Sequence, residues 1–84
     1  MGLEEGIEVR RVAVAPGATR AYDEADWRGA LVVVERGRIE LEGLSGSRLS
    51  VERGAVLWLV GLPLRALHNR GAEPTVIVAF TRQR

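Results

Sequence analysis

The 84-residue sequence contains no cysteine. Disulfide bonds, thiolate metal sites and cysteine nucleophiles are therefore excluded for these residues. Lysine is also absent, so all twelve basic residues are arginines. Because alanine, glycine and valine are abundant as well, we interpret the missing lysine as the codon bias of a GC-rich genome and not as a functional signal.

Aromatic residues make up only 5% of the chain, so aliphatic side chains must fill the core. Twelve basic and eleven acidic residues leave a net charge of +1, and the arginines form no basic stripe of the kind that binds nucleic acid. The apolar runs are too short to span a membrane, and the acidic N-terminus does not resemble a signal peptide. We therefore expect a cytoplasmic protein that binds neither nucleic acid nor membranes.

Chain length predicts one small domain over residues 1–84, with flexible ends at 1–6 and 81–84. A domain of this size buries about 60–65% of its unfolded surface, which limits its stability unless it oligomerises. The first predicted strand, Ile7–Val14, needs a partner for its free edge. We therefore expect a homodimer.

Short apolar or alternating segments separated by turn residues predict seven strands. They are Ile7–Val14, 31–35, 39–42, 48–51, 55–60, Leu64–His68 and 76–80. Turn signals recur about every 8–12 residues, which is typical of an all-β sandwich or barrel. Segment 18–29 is compatible with either a helical turn or an edge strand.

Three finer expectations concern strand faces and pairing. The strand at 55–60 has no polar residue and is expected to be covered on both faces. Alternation in the first strand predicts that Ile7 and Val9 point inward and that Glu8 and Arg10 point outward. The turn at 36–38 is expected to pair strands 31–35 and 39–42 as a hairpin.

The spacing of several residues resembles the two sequence motifs of the cupin superfamily. The second motif, G-x5-P-x-G-x2-H-x3-N, is matched by Gly54 and Asn69, with Arg65 at its histidine position. The segment Gly71-Ala72-Glu73-Pro74 is similar to the usual continuation. In the first motif, G-x5-H-x-H-x3-4-E-x6-G, Gly37 is the closing glycine, and the ligand positions read Glu24, Asp26 and Ala30.

The resemblance implies an all-β, cupin-like jelly-roll β-barrel. The family's metal site uses three histidines and one glutamate, whereas this chain has Glu24, Asp26, Ala30 and Arg65 at those positions. A guanidinium has no lone pair to donate and repels a cation. We therefore expect no metal and no cofactor, and none of the family's metal-dependent oxygenase or isomerase activities.

The resemblance also places Glu24, Asp26 and Arg65 in one barrel mouth, where three interpretations stay open. The residues form a structural ion pair that replaces the metal, or Arg65 binds a small carboxylate, phosphate or enolate with an acid beside it as general base. In the third, the strand register is shifted by one residue and the groups are simply solvated.

Four further side chains are candidates for the same mouth or for its surroundings. Trp58 is either a core residue or a ligand-stacking one, and Tyr22 is placed to donate a hydrogen bond into the mouth. Trp27 is interpreted as a lid or interface residue. His68, the only histidine, is predicted to point away from Arg65 at the surface. No catalytic residue is assigned.

The function that this pattern favours is metal-free binding of a small anionic molecule by Arg65, Glu24, Asp26, Trp58 and Tyr22. One alternative is a metal-independent isomerase, cyclase or lyase acting on a small anionic metabolite. Another is a degenerate cupin that acts as an assembly partner. A mouth filled by side chains would favour the assembly partner, whereas an open mouth would favour the other two.

Overall fold

The computed structural model describes residues 6–59 and 61–82, which form eight strands and one short helix. The strands are β1 (Ile7–Val14), β2 (Thr19–Ala21), β3 (Ala30–Arg36), β4 (Arg38–Gly43), β5 (Arg48–Glu52), β6 (Val56–Trp58), β7 (Leu64–His68) and β8 (Thr75–Arg82). The helix is α1 (Glu24–Trp27). No helix among these residues is long and apolar enough to cross a membrane.

The strands form two four-stranded antiparallel sheets. The first sheet has the order β1-β8-β3-β6 and the second the order β2-β7-β4-β5. Successive strands therefore cross repeatedly between the sheets, which is the topology of a jelly roll. The predicted all-β jelly-roll barrel is confirmed.

Aliphatic side chains from both sheets meet between them and form a single core. Its buried members are Val12, Val14, Trp27, Ala30, Val32, Val34, Ile39, Leu41, Leu59, Leu67, Ile77 and Ala79. Alternation along β1, β3, β4 and β8 explains nine of these twelve residues, because every second residue faces the opposite sheet. The core accounts for the scarcity of aromatic residues, since valine, isoleucine and leucine fill nearly all of it.

The predicted hairpin between β3 and β4 is wrong. β3 pairs with β6 and β8, whereas β4 pairs with β5 and β7 in the other sheet. The turn at Gly37, which has a φ of +77°, is a corner that carries the chain from one sheet to the other. Both strands bury one apolar face in the same core. Two strands can do this from opposite sheets as well as from a single hairpin.

The predicted orientation of β1 is also reversed. Val12 and Val14 are buried, while Ile7 and Val9 are 42% and 52% exposed. Arg10 shares the inner side with Val12 and reaches Trp27 there. A large aromatic face beneath the guanidinium makes an inward arginine favourable at this end of the strand.

Both open interpretations of segment 18–29 are present in the fold, since β2 is an edge strand and α1 is one helical turn. Asp23 caps α1 by accepting a hydrogen bond from the amide of Ala25 at 3.0 Å. The helix turns Trp27 into the core, where its side chain is 1% exposed. The expectation that Trp27 is a lid or interface residue is therefore wrong.

Residues 81 and 82, which were predicted to be flexible, belong to a strand. β8 continues through Thr81 and Arg82, because these residues pair with Glu8 and Ile7 of β1. The predicted flexible residues 1–5 and 83–84, together with position 60 at the end of the expected strand 55–60, lie outside the described residues.

Candidate functional site

The interior of the barrel is filled by side chains rather than open to ligand. Trp27 packs among the core residues, and the guanidinium of Arg10 lies 5.2 Å from the centroid of its ring. A second contact of Arg10, from Nη2 to the backbone oxygen of Asp26, holds α1 against the first sheet. Among the residues that the structure describes, the buried indole Nε1 has no hydrogen-bond partner. The surrounding core cluster contains no carboxylate and no imidazole.

The structure does not bring Glu24 and Asp26 to Arg65. Both acids lie on exposed faces of α1, and Glu24 accepts a hydrogen bond from Nη2 of Arg28 at 2.8 Å, one helical turn away. This bond holds the pKa of Glu24 below its ordinary value. The expected position of both carboxylates in the mouth is not reached, because the helical turn, one of the two structures expected for 18–29, directs them outward.

Arg65 pairs with Glu42 on the outer face of the second sheet. Its Nε lies 3.7 Å from Oε2 of Glu42, and its Nη2 donates to the backbone oxygen of Leu44 at 3.2 Å. The pairing of β4 with β7 shifts register between Glu42 and Gly43. Arg65 lies in this irregularity, which explains why counting along a regular strand misplaces its side chain.

His68 joins the same cluster, contrary to the prediction that it points away from Arg65. Its Nε2 lies 2.7 Å from Oε1 of Glu42, and its Nδ1 lies 2.8 Å from Oγ1 of Thr19. The hydrogen bond with His68 is the main cause that lowers the pKa of Glu42, and the charges of Arg48, His68 and Arg65 act in the same direction. Burial acts against them. The cluster ties β2, β7 and β4 together from outside.

A neighbouring carboxylate, Glu40, completes this charged outer face. Oε1 of Glu40 accepts hydrogen bonds from Nη1 of Arg48 and from Nε of Arg70, both at 2.7 Å. The bond from Arg70 is the largest cause that lowers the pKa of Glu40. These paired charges are partly exposed and face solvent, so their arrangement is that of a structural network.

The residues at the family's metal positions do not fit a metal. Ala30 is fully buried, Glu24 and Asp26 are exposed on α1, and Arg65 carries a positive charge on the outer face. Within residues 6–59 and 61–82, no group of three histidine, aspartate or glutamate side chains is arranged to hold an ion. We therefore derive no chemistry through a metal.

A small apolar cleft opens at the end of the barrel where the turn after β4 meets the segment before β7. The two segments are joined by a hydrogen bond from the amide of Leu44 to the oxygen of Pro63 at 2.7 Å. The cleft has a volume of about 210 Å³. It is lined by Leu41, Gly43, Ser47, Arg48, Leu49, Leu62, Pro63 and Leu64. Leu49 and Leu62 are 58% and 43% exposed, so their apolar surface is open to solvent.

A wider depression of about 400 Å³ lies at the opposite end, among the turns that carry the chain between sheets. Two arginines, Arg38 and Arg53, and two glutamates, Glu52 and Glu73, line it together with Asn69. Asn69 is buried but already bonded to the oxygens of Val14 and Glu73, at 2.9 and 2.8 Å. Its amide therefore stabilises the loop and is not free to bind a ligand.

None of the five predicted ligand-binding residues lines either cleft. Trp58 is 62% exposed on the outer face of the first sheet, far from its expected core or pocket position. Tyr22 is half-buried against the core; burial, followed by the charges of Glu24 and Asp23, raises its pKa. The backbone amide of Tyr22 donates to the oxygen of Arg65 at 2.9 Å.

The leucines and Arg48 that line the apolar cleft were not predicted from the sequence. A signal for them exists, because 39–42 and 48–51 are both predicted as strands around one turn. Their pairing places Leu41 opposite Leu49 on the core side of the second sheet. The exposure of Leu49 could not be predicted, because it depends on how far the first sheet extends over it.

Comparison with known proteins gives matches by structure and not by sequence. No family model and no curated protein matches the sequence. A Cupin 2 conserved barrel domain protein from Salinispora arenicola superposes with a TM-score of 0.67 at 22% identity. The match covers 94% of this chain and 64% of that protein.

Two further solved structures show the same likeness. The Cupin_2 domain of an XRE family transcriptional regulator from Enterobacter cloacae has a TM-score of 0.63 at 18% identity, covering 94% of this chain and 82% of that one. A cupin superfamily sugar phosphate isomerase from Silicibacter pomeroyi has a TM-score of 0.63 at 26% identity, covering 93% and 52%. The chain has two antiparallel sheets in jelly-roll order, and nearly its whole length superposes on barrels of this kind. The chain therefore has a cupin-superfamily fold.

Proposed function

We propose that this chain is a small-molecule-binding protein that takes a small, largely apolar carboxylate into the cleft lined by Leu41, Leu49, Leu62 and Leu64. The observation that carries the proposal is the exposure of leucine side chains in a concave site whose lining includes one arginine, Arg48. Ligand sites combine apolar walls with a few polar groups in this way.

The size of the cleft limits the ligand. A volume of about 210 Å³ holds roughly seven water molecules at ~30 Å³ each. It lies below the range of about 300–1,000 Å³ that is usual for drug-sized ligands. A short aliphatic or single-ring acid is the class that matches this volume.

Arg48 supplies the polar end of the site. Arg48 is a lining residue of the cleft, and its half-exposed guanidinium bonds Glu40 through Nη1 on the outer face of the second sheet, from which it would turn toward a bound ligand. A guanidinium carries five N–H donors in a planar fork, so one bond to Glu40 leaves donors for a carboxylate. Glu40 also keeps its bond from Arg70, so it stays paired if Arg48 turns toward a ligand.

We favour binding over catalysis because the core residues that the structure describes include no acid–base pair. The core cluster consists of apolar side chains, and the described carboxylates with depressed pKa values are engaged by arginine or histidine at the surface. The filled interior also supports an assembly role, for which the outer face of the first sheet is the candidate surface.

The test is a calorimetric titration with hexanoate and benzoate, using hexanol and benzyl alcohol as uncharged controls. We expect the acids to bind more tightly than the alcohols. Arg48→Gln should weaken acid binding about 10–100-fold, since a hydrogen bond to a charged group contributes about 1.5–3 kcal/mol. Arg38→Gln, in the depression at the opposite end, is the matched control and should bind as the parent does. Equal binding by Arg48→Gln, or no binding at millimolar concentrations, would refute the proposal.

A further inference from the structure

The outer face of the first sheet is apolar across all four strands. Strand pairing places Val9, Phe80, Leu31 and Trp58 in one row, since Val9 and Leu31 both pair with Phe80 and Leu31 pairs with Trp58. Val9, Phe80 and Trp58 are 52%, 37% and 62% exposed. Partners in an antiparallel ladder share a face, so these side chains form one continuous surface. We name this surface the outer apolar face.

A second row extends the outer apolar face. Val33 of β3 pairs with both Val78 and Val56, and Val56 is 58% exposed. At the end of this row, Arg11 of β1 and Glu35 of β3 form an ion pair 3.3 Å apart that crosses β8. Val78, which lies between them, is only 4% exposed. At this end, the apolar surface is therefore bordered by two charged side chains that pair with each other.

Such a face is unusual for a sheet exposed to water. Antiparallel sheets with one solvated face alternate apolar and polar residues, whereas β3, β6 and β8 are apolar on both faces. The sequence of 55–60 predicts cover on both faces, and the single chain covers only one. Contiguous apolar surface of a few hundred Å² marks interaction sites in soluble proteins.

We infer that the outer apolar face is the interface of a homodimer, in which it packs on the same face of a second copy. Strand spacings and lengths give it roughly 400 Å² in projection. Accessible area exceeds projection because side chains stand up from the sheet, so two copies bury on the order of 1,000 Å². That area reaches the lower bound of specific protein interfaces.

Shape and charge favour a second copy over another partner. The face is a sheet surface, and two sheet faces pack about 10 Å apart with interdigitating side chains. A twofold axis places the same patch on both sides of the interface, so the apolar patch of one copy packs on the apolar patch of the other. Arg11 and Glu35 pair with each other within the chain and do not attract a charged partner. The net charge of +1 opposes self-association only weakly.

The inference differs from pairing through the free edge of β1. Edge pairing uses the backbone of β1 and leaves the side chains of the two central strands unchanged. Packing through the outer apolar face depends on Phe80 and Val33 in those central strands and on Val56 in β6. Variants of these side chains therefore distinguish the two modes.

The test is sedimentation equilibrium on the whole chain from about 1 µM to about 1 mM. We expect the parent to have twice the chain mass, and Phe80→Glu and Val56→Glu to be monomeric while keeping the far-ultraviolet circular dichroism of a folded β protein. Leu44→Glu is the matched control, because Leu44 is 57% exposed but lies in the turn after β4. It should remain dimeric.

Two results would overturn the inference. The first is a monomeric parent at every concentration; if that monomer sediments with phosphatidylcholine vesicles, the outer apolar face is assigned to a lipid surface. The second is a parent dimer that survives both Phe80→Glu and Val56→Glu, which would place the contact elsewhere, such as the edge of β1. Because none of these variants lies in the leucine cleft, a failure here leaves the proposed ligand binding untouched.

Discussion

The guanidinium carbon of Arg10 lies 5.2 Å from the centroid of the Trp27 ring, on the inner side of the first sheet. The pair closes the barrel at the end where α1 packs. Trp27 fills interior space that a hollow barrel would leave for a ligand, and Arg10 fixes the helical turn that carries it. Because the interior is closed, the surfaces available for binding are the rim of the barrel and its outer faces.

Removing the indole should strongly destabilise the fold. Trp27→Ala deletes a side chain that is 1% exposed, and truncations of buried tryptophan cost about 3–5 kcal/mol. The free energy of unfolding is measured by guanidinium titration. Leu44→Ala, at an exposed position, should change it by less than ~0.5 kcal/mol. A loss below about 1 kcal/mol for Trp27→Ala would contradict the buried position of the ring.

Arg10 should contribute through its contact with that ring. Arg10→Ala removes the cation–π interaction and the hydrogen bond to the backbone oxygen of Asp26. We expect a loss of about 1–2 kcal/mol in the free energy of unfolding. Arg10→Gln, which retains polarity but not charge, separates the two contributions. If Arg10 pointed to solvent, as the alternation of β1 predicts, both variants would be neutral.

Two glycines offer a matched test of backbone and steric strain. Gly37 and Gly46 have φ of +77° and +93°, so an alanine at either position is strained by about 1–2 kcal/mol. At Gly37 an added Cβ would also lie 2.8 Å from Oγ1 of Thr75 and 3.0 Å from the oxygen of Pro74, whereas at Gly46 it meets nothing within 4 Å.

Gly37→Ala should therefore lower the melting temperature clearly more than Gly46→Ala. Thr75 is fully buried and its hydroxyl donates to the oxygen of Arg38 at 2.6 Å, so it cannot move away without losing that bond. Equal effects of the two substitutions, measured by thermal unfolding, would show that the corner between β3 and β4 is looser than described.

The Glu42 network should make stability depend on acid pH. The pKa of Glu42 is lowered in the folded state, first by the hydrogen bond with His68. The stabilisation is therefore present above the ordinary glutamate value of about 4.5 and is lost as pH falls through the lower folded pKa. Glu42→Gln should reduce the loss of stability measured in urea between about pH 5 and pH 3.

A second variant tests the assigned cause. His68→Leu removes the hydrogen bond that lowers the pKa of Glu42 most, so it should also flatten the pH dependence. A pH profile that neither substitution alters would mean that the Glu42–His68 contact at 2.7 Å does not persist in solution.

Most strands and turns could be predicted from sequence, because alternation and turn residues are local signals. The corner at Gly37 and the hairpin turn at 43–47 lie where expected. The pairing of the strands could not be predicted. β3 and β4 bury their apolar faces in one core as readily from opposite sheets as from a hairpin. The reversed orientation of β1 depends on Trp27, which is seventeen residues from Arg10 and meets it only in the folded chain.

The candidate site was harder to predict for two physical reasons. The sequence left a helical turn and an edge strand open where Glu24 and Asp26 lie. The capping side chain of Asp23 was the signal that favoured the helical turn. The register shift beside Gly43 then places Arg65 on Glu42. A shift of one residue changes the face of every side chain that follows, so small local errors relocate a whole site.

The barrel interior is closed, and we propose the leucine cleft at its rim as the ligand site. Chemical-shift mapping of the labelled protein during a hexanoate titration distinguishes these two locations. We expect the backbone amides of Leu41, Leu49 and Leu64 to shift while the indole N–H of Trp27 stays in place. Saturable shifts of the Trp27 indole together with Val34 and Ile77 would instead place the ligand inside the barrel and contradict the account.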